Sequence, residues 1–152
     1  IAALSRHEDQ SLRCALTHDL KECIYIAMVR FEGPLFFANA SYLEDEIMEL
    51  MRTKTKLKHI IIVSNGINDI DASGEEVLSL LVDRIRSAGI DISLSGVNDS
   101  VMKVFERTHF KEKIEENHIY PTMERAINAV HEETHKGSSE EACPLLTVCR
   151  LA

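Results

Sequence analysis

HIIIVSNGINDIDASGEEVLSLLVDRIRSAG, residues 59–89, predicts a strand, a loop and a helix in that order. Residues 59–63 form an apolar run of strand length, which is typical of a strand covered on both faces by helices. Residues 73–88 place apolar side chains at helical spacing and are followed by Gly89, which suits a helix terminus. A buried strand that leads into an amphipathic helix favours an α/β fold with a largely parallel sheet.

The sequence on either side of this stretch continues the alternation of strands and helices. Runs of β-branched and aromatic residues indicate strands, apolar residues at helical spacing indicate helices, and Gly and Pro mark the breaks. The further predicted elements are strands at 24–31 and 35–37, a helix capped by Asn39 or Ser41 and running to about 51, a strand at 90–94, a helix from 98–100 to about 110, a short strand at 118–120 and a helix from 122 to about 135. The result is an α/β domain with a mostly parallel sheet and right-handed crossovers, in which Phe36 and Phe37 are expected to fill the core.

Length and charge restrict the classes of function. The 152 residues carry 17 basic and 25 acidic side chains, a formal net charge of −8, and suit one domain. An acidic chain disfavours nucleic acid and an anionic bilayer as direct partners, because both need clustered Lys and Arg. No run approaches the ~20 apolar residues of a membrane span. Cys14, Cys23, Cys143 and Cys149 match neither a CxxC motif nor a zinc site, so reduced thiols are expected.

The loop between the central strand and helix carries the candidate functional residues. Open α/β sheets bind ligands where a strand leads into a helix, and the free N–H groups of a helix start suit an anion. The candidate binding residues are Asp69, Asp71, Ser73, Gly74 and Glu76. Ser73 and Glu76 have capping-box spacing, so Ser73 is expected to cap the helix. Ser73 is also a candidate phosphorylation site, where about two added negative charges beside Asp71 and Glu76 would make or break a protein contact.

The sequence contains partial matches to a catalytic motif and to a metal site. Residues 69–73 have the spacing of the DxDx[TS] motif of Mg²⁺-dependent phosphotransferases, but that chemistry needs the first Asp at the end of the strand, and polar residues follow Val63 here. The seven histidines do not cluster in the sequence, and His131 and His135 lie one helical turn apart without further zinc ligands. With no P-loop, GxSxG or CxxC motif, neither a catalytic nor a metal site is predicted.

Two motifs resemble a known family. Residues 33–40, GPLFFANA, closely resemble a run near the start of the cytoplasmic STAS domain of SulP sulfate-permease-type anion transporters. Residues 71–74, DASG, resemble the DSSG-like loop that STAS domains share with bacterial anti-sigma-factor antagonists. The similarity extends over about residues 20–135 and includes ISLSGV at 92–97 and YPTMERA at 120–126.

The resemblance implies a domain arrangement and a location. It implies a STAS domain at 21–136, with a sheet of four or five mostly parallel strands flanked by about four helices. In SulP transporters this domain follows the last membrane span, so residues 1–20 are expected to be a juxtamembrane linker and 137–152 a flexible C-terminal tail. The expected location is the cytoplasmic face of the inner cell membrane, as part of a multi-pass transporter of bacterial type.

The resemblance also implies a non-catalytic function in regulation and protein interaction. In the antagonist branch a kinase phosphorylates the serine before the glycine of the loop, and that serine corresponds to Ser73. The expected partners are the membrane domain of the chain's own transporter, a second copy or a soluble regulatory protein. No cofactor is expected, although the family has been linked to nucleotide binding. The alternative is a freestanding anti-sigma-factor antagonist that acts as a phospho-switch.

Overall fold

The structure, a computed structural model, describes residues 2–6, 12–14 and 25–135, with side chains described from 25 to 131. Its strands are β1 (Ala2–Arg6), β2 (Leu12–Cys14), β3 (Ile26–Glu32), β4 (His59–Gly66), β5 (Asp91–Ser95) and β6 (Ile119–Tyr120). Its helices are α1 (Phe37–Thr53), α2 (Ala72–Ser87), α3 (Asp99–Arg107), α4 (Phe110–Ile114) and α5 (Met123–His135), with a 3₁₀ turn at Glu116–His118. Within these described ranges, no helix is both long enough and apolar enough to span a bilayer.

The strands form one sheet in the order β2-β1-β3-β4-β5-β6. The four strands β3 to β6 are parallel neighbours, and helices connect them. β1 is antiparallel to β3, and β2 is antiparallel to β1. This confirms the predicted α/β class, with a mostly parallel sheet flanked by helices.

Both faces of the central strand β4 are buried, as its apolar run predicts. Alternate residues of a strand point to opposite faces of the sheet. Ile60 and Ile62 belong to the larger core cluster with α1 to α4, whereas Ile61 and Val63 belong to a smaller cluster with α5. All four side chains are at most 1% exposed. β4 is therefore a rigid base for the loop that follows its carboxyl end.

β1 and β2 lie within residues 1–20, which the family resemblance predicts to be a juxtamembrane linker. β1 pairs with β3, with Ala2 opposite Arg30, and β2 continues the sheet at its edge. Backbone hydrogen bonds to a neighbour hold an edge strand, so it needs no strong apolar pattern of its own. The role of residues 1–20 as a juxtamembrane linker stays a prediction, and the expected tail at 137–152 lies outside the described residues.

The predicted strand at 35–37 was wrong. Only Leu35 pairs with another extended segment, in a single parallel bridge to Ile70. The N–H of Ala40 donates to the carbonyl oxygen of Phe36 at 2.8 Å, so the chain turns into α1 at this point. Helical hydrogen bonding therefore takes over directly after the Gly-Pro break.

The predicted caps of the first helix were also wrong. The N-cap residue of α1 is Phe36, and no side chain caps this helix start. Asn39 donates from Nδ2 to the carbonyl oxygen of Pro34 at 2.7 Å, and Ser41 donates from Oγ to the carbonyl oxygen of Phe37 at 3.2 Å. Both candidates lie inside α1, because the helix begins earlier than the sequence indicated.

Two helices, α3 and α4, replace the single helix predicted up to about 110. His109 has a φ of 64°, a left-handed conformation that interrupts the helix between them. Asn98 is the N-cap residue of α3, as predicted, but its Nδ2 donates to the carbonyl oxygen of Ile67 at 2.7 Å. The asparagine therefore links α3 to the loop after β4.

Candidate interaction site at the carboxyl edge of the sheet

The loop at 67–71 leads from β4 into α2 at the carboxyl edge of the parallel sheet. It is bonded to the neighbouring connection between β3 and α1. The N–H of Leu35 donates to the carbonyl oxygen of Asp69 at 2.9 Å, and Leu35 pairs with Ile70. The two connections therefore lie side by side, which brings the first turns of α1 and α2 to one edge of the sheet.

Gly74 allows the first turn of α2 to lie against this connection. It is buried, and a Cβ at this position would lie far inside van der Waals contact with the carbonyl oxygen of Leu35. Any larger residue would therefore disturb the packing that joins the two connections. Gly74 is a packing residue, and its predicted part in binding a partner stays a prediction.

Asp71, and not Ser73, caps α2. Asp71 has an extended backbone, and its Oδ1 accepts a hydrogen bond from the N–H of Gly74 at 2.6 Å. Its carbonyl oxygen accepts the N–H of Glu75 at 2.9 Å. The predicted cap was wrong because the helix begins at Ala72, and a capping side chain must stand before the first turn. Ser73 lies exposed within that turn.

Acidic side chains dominate this edge. Asp69, Asp71 and Glu76 are exposed, whereas Glu75 is half-buried. Burial raises the pKa of the Glu75 carboxyl, against the opposing attraction of Lys113. The predicted binding residues other than Gly74 thus reach solvent, and three of them, Asp69, Asp71 and Glu76, present negative charge to it.

Phe36 and Phe37 lie exposed at the start of α1, so the prediction that they fill the core was wrong. Phe36 is 39% exposed and Phe37 is 64% exposed, next to the bridge between Leu35 and Ile70. An apolar pair in a short apolar run resembles a core strand, so the local pattern does not reveal that the two side chains are exposed. The Gly-Pro break before them was the available signal, because it marks the start of the next element.

A second polar cluster lies at the amino edge of the same strands. His59 Nε2 lies 2.7 Å from Ser93 Oγ, and His118 Nε2 lies 2.9 Å from Asp91 Oδ2. The two imidazole rings are parallel within 4°, with centroids 6.4 Å apart. The prediction that the histidines do not cluster was wrong for this pair, because the strand register joins residues far apart in the chain.

This histidine cluster has the residue types of a hydrolase but not the access. Ser93 is 0% exposed and His59 is 6% exposed, so no substrate reaches the hydroxyl. Ser93 is also bonded to His59, whereas the carboxylate is bonded to the other imidazole, so no Ser-His-Asp relay forms. Burial lowers the pKa of His59 to about 4, against the attraction of Asp91. The cluster is a structural network in which the pair of His59 and Ser93 is buried, whereas the Asp91 side chain is 44% exposed.

The position of Asp69 differs from the position that the phosphotransferase alternative requires. Asp69 stands beyond the end of β4, which is at Gly66, and its Oδ1 accepts the N–H of Ile70 at 2.8 Å. The nucleophile position of that chemistry is at the strand end. In the part of the chain described with side chains, no group of three or more His, Cys, Asp or Glu residues is arranged to hold a metal ion.

Comparison with known protein families identifies the fold. A family model described as the STAS domain matches residues 19–126. The chain belongs to the STAS domain family. This confirms the resemblance carried by its two motifs, which meet in space where Gly74 packs against the carbonyl oxygen of Leu35. GPLFFANA forms the turn and the first turn of α1, and DASG forms the cap and the first turn of α2.

Related proteins contain this STAS domain as a small part of a longer chain. Sulfate transporter 3.2 of Arabidopsis thaliana is 25% identical over 128 residues, which cover 78% of this chain and 20% of that protein. The chain thus spans about a fifth of the length of this curated relative.

Solved structures show the same fold in two kinds of protein. The STAS domain of a SulP transporter from Vibrio cholerae is 25% identical, with a TM-score of 0.60 over 71% of this chain and 82% of that chain. A putative anti-sigma factor antagonist from Thermotoga maritima is 20% identical, with a TM-score of 0.62 over 74% of this chain and 92% of that chain. The STAS fold is therefore common to transporter domains and to antagonist proteins.

Proposed function

We propose that this STAS domain is a non-catalytic regulatory and interaction domain of a SulP-type transporter of sulfate or another inorganic anion. In this proposal it lies at the cytoplasmic face of the cell membrane and docks onto the membrane domain of its own transporter. The relatives named sulfate transporters and the similar SulP domain from Vibrio cholerae support this function.

The proposed contact surface is the carboxyl edge, which we call the docking face. It consists of Phe36, Phe37, Asp69, Asp71, Ser73 and Glu76 at that edge, and of Leu80, which lies two helical turns beyond Ser73 on α2. One observation carries the proposal: Ser73 is exposed in the first turn of α2 while Asp71 caps the helix. A phosphate on Ser73 would change the charge of the docking face without removing the cap, which is what a switch in a folded domain requires.

The direction of β1 supports a partner on this side. Ala2 lies opposite Arg30, near the carboxyl end of β3, and β1 runs antiparallel from there. A segment that precedes β1 would therefore meet the domain at the edge that carries the docking face. A membrane domain joined in this way would lie within reach of Ser73.

A charge at Ser73 is expected to change transport without unfolding the domain. Ser73→Glu in the full transporter would alter the rate of sulfate uptake by cells, because the added carboxylate lies on the docking face. Ser87→Glu is the matched control, since Ser87 is an exposed serine in the last turn of the same helix. Circular dichroism of both variants checks the fold. Equal uptake by the two variants and the unchanged protein would contradict the proposal.

The reading frame upstream of Ile1 distinguishes the transporter from the alternative. Roughly ten or more apolar spans, each of ~20 residues, are expected there. A start codon directly before Ile1 would overturn the transporter proposal and favour a freestanding antagonist. The similarity to the Thermotoga maritima structure, over 92% of that chain, is the observation that supports this second candidate.

A further inference from the structure

We infer that the docking face binds a cationic amphipathic segment of its partner. Apolar side chains of that segment would cover Phe36, Phe37 and Leu80, and its Lys or Arg side chains would pair with the surrounding carboxylates. This inference rests on the proposed function, because it uses the same face, and it adds the chemistry of the partner and the direction in which charge at Ser73 acts.

The docking face contains most of the large hydrophobic side chains that the described part of the chain exposes. Phe36, Phe37 and Leu80 are 39%, 64% and 51% exposed, and they are three of the four large hydrophobic side chains exposed in the described part of the chain. Phe36 and Phe37 stand at the start of α1, and Leu80 lies on α2, which packs beside α1. Exposed apolar groups bordered by charge are typical of a protein contact.

Leu80 lies on the side of α2 that borders α1. Arg84, one helical turn further along, donates from Nη1 to Glu44 of α1 at 3.1 Å. Ser73 and Leu80 are seven residues apart, which places them on the same face of the helix. The switch residue and Leu80 are thus parts of one surface.

The charge of this region has a single sign. Residues 31–51 and 59–83 contain no Lys or Arg, but each range contains five acidic residues. Asp69, Asp71 and Glu76 are exposed, and none of them forms an ion pair within the described part of the chain. A surface of this kind repels an acidic partner and attracts a basic one, because complementary potentials favour association.

Four basic side chains lie at the opposite edge of the sheet, and Arg30, near the carboxyl end of β3, is paired with Glu32 at 3.4 Å. Arg52, Lys54, Lys56 and Lys58 are all at or beyond the carboxyl end of α1, opposite the docking face. Arg84, the basic residue of α2 that borders the face, is paired with Glu44. A basic partner would therefore supply positive charge that residues 31–51 and 59–83 lack.

The sign of the charge also sets the direction of the switch. A phosphate or Glu at Ser73 adds negative charge to an already negative rim. A cationic partner would then bind more tightly, whereas an acidic partner would bind more weakly. The response of binding to Ser73→Glu therefore reports the charge of the partner.

The test is titration of the chain with two synthetic amphipathic helical peptides of 18 residues, one of Leu and Lys and one of Leu and Glu. Fluorescence anisotropy of the labelled peptides measures the dissociation constant at low and high salt. The Leu/Lys peptide is expected to bind, and more weakly at high salt, because screening reduces attraction between exposed charges. The Leu/Glu peptide is expected not to bind.

Because a chain of net charge −8 attracts any cationic peptide weakly, the decisive comparisons are between variants of equal charge. Glu76→Gln is expected to weaken binding about twofold to fivefold, while Glu112→Gln, at an exposed acid on α4, has no effect. Phe37→Ser is expected to weaken binding about tenfold, while Tyr42→Ser, at an exposed aromatic outside the face, has no effect.

Charge at Ser73 gives the third comparison. Ser73→Glu is expected to tighten binding of the Leu/Lys peptide about twofold to fivefold, and Ser87→Glu to leave it unchanged. Equal effects of each variant and its control, or weaker binding after Ser73→Glu, would overturn the inference that the partner is cationic. If that result came with altered sulfate uptake by Ser73→Glu, the proposed function would stand and only the inference of a cationic partner would fail. If the peptide bound selectively but uptake were unaltered, the proposed docking onto a transporter would fail and the inference of a cationic partner would stand.

Discussion

Asp71, Ser73 and Gly74 contribute differently to the start of α2, although they are neighbours in the chain. Asp71 accepts the N–H of Gly74 at 2.6 Å and so satisfies one of the free donors of the helix start. Gly74 lies so close to the carbonyl oxygen of Leu35 that no side chain fits. Ser73 makes neither contact and is exposed, as the proposed switch requires.

Removal of the cap is expected to cost stability at Asp71 and not at Ser73. Asp71→Ala would lower the free energy of unfolding by about 1 kcal/mol, since a helix loses about that much with its N-cap side chain. Asp71→Asn would retain most of it, because the amide oxygen can accept the same hydrogen bond. Ser73→Ala would stay within about 0.5 kcal/mol of the unchanged protein. Urea denaturation measures all three. A larger loss of unfolding free energy for Ser73→Ala than for Asp71→Ala would show that the serine caps the helix.

At the scale of elements, Arg86 joins α2 to two neighbours. Its Nη1 and Nη2 donate to the carbonyl oxygens of Lys113 and Ile114 at 2.9 and 2.8 Å, and its Nε donates to Asp91 at 3.2 Å. The two carbonyls stand at the end of α4, where helix carbonyls have no intrahelical partner. The guanidinium therefore fixes the short helix α4 against α2 and the start of β5.

Arg86→Lys is expected to lower the free energy of unfolding by about 1–3 kcal/mol. An ammonium cannot reproduce the planar fork, so at least one partly buried acceptor loses its partner. Arg84→Lys is the matched control, because Arg84 makes an exposed ion pair with Glu44, worth about 0–1 kcal/mol. Thermal and urea unfolding would measure the difference. Equal losses for the two variants would show that the α4 carbonyls do not depend on Arg86.

At the scale of the whole molecule, the histidine cluster joins the amino ends of β4 and β5 to the start of β6. His59 is bonded to Ser93 on β5, and His118 precedes β6 and is bonded to Asp91. Burial would raise the pKa of the Asp91 carboxyl, but its hydrogen bonds from Ile92, His118 and Arg86 together lower it. Neutral His59 and ionised Asp91 are therefore the forms that the folded state favours.

Stability is expected to fall as the pH is lowered from about 6.5 to about 4. The pKa of His59 is lowered to about 4 in the folded protein from 6.5, so the unfolded chain binds more protons between these values. The part of the unfolding free energy that depends on neutral His59 is fully present above the unfolded pKa of 6.5. It amounts to about 3 kcal/mol, at ~1.4 kcal/mol for each pKa unit. The lowered pKa of Asp91 acts below this window, since its stabilisation is lost as the pH falls through 3.8 and below.

Urea denaturation at several pH values measures this dependence. His59→Gln should flatten the fall between pH 6.5 and 4, whereas His109→Gln should keep it, because the His109 side chain is 82% exposed. A variant at His59 with the same pH dependence as the unchanged protein would show that this imidazole is not the group responsible.

The sequence by itself determined the class of the fold and the place of its candidate site. The apolar run at 60–63 specified a buried central strand, and the helical spacing after Ser73 specified α2, because both signals depend on neighbours along the chain. The same local patterns placed residues 69–76, the end of the loop and the start of α2, at the carboxyl edge of the sheet. The two family motifs added the STAS fold, which the structure and the family match confirm.

Only the tertiary structure decided which side chains of that edge are free. Asp71 is the cap because α2 begins at Ala72, and Phe36 and Phe37 are exposed because Leu35 pairs with Ile70 and the chain then turns into α1. The pairing of His59 with His118 and the addition of β1 to β3 depend likewise on contacts between distant segments. The spacing of residues along the chain does not predict such contacts, because they form only when separate elements pack on one sheet.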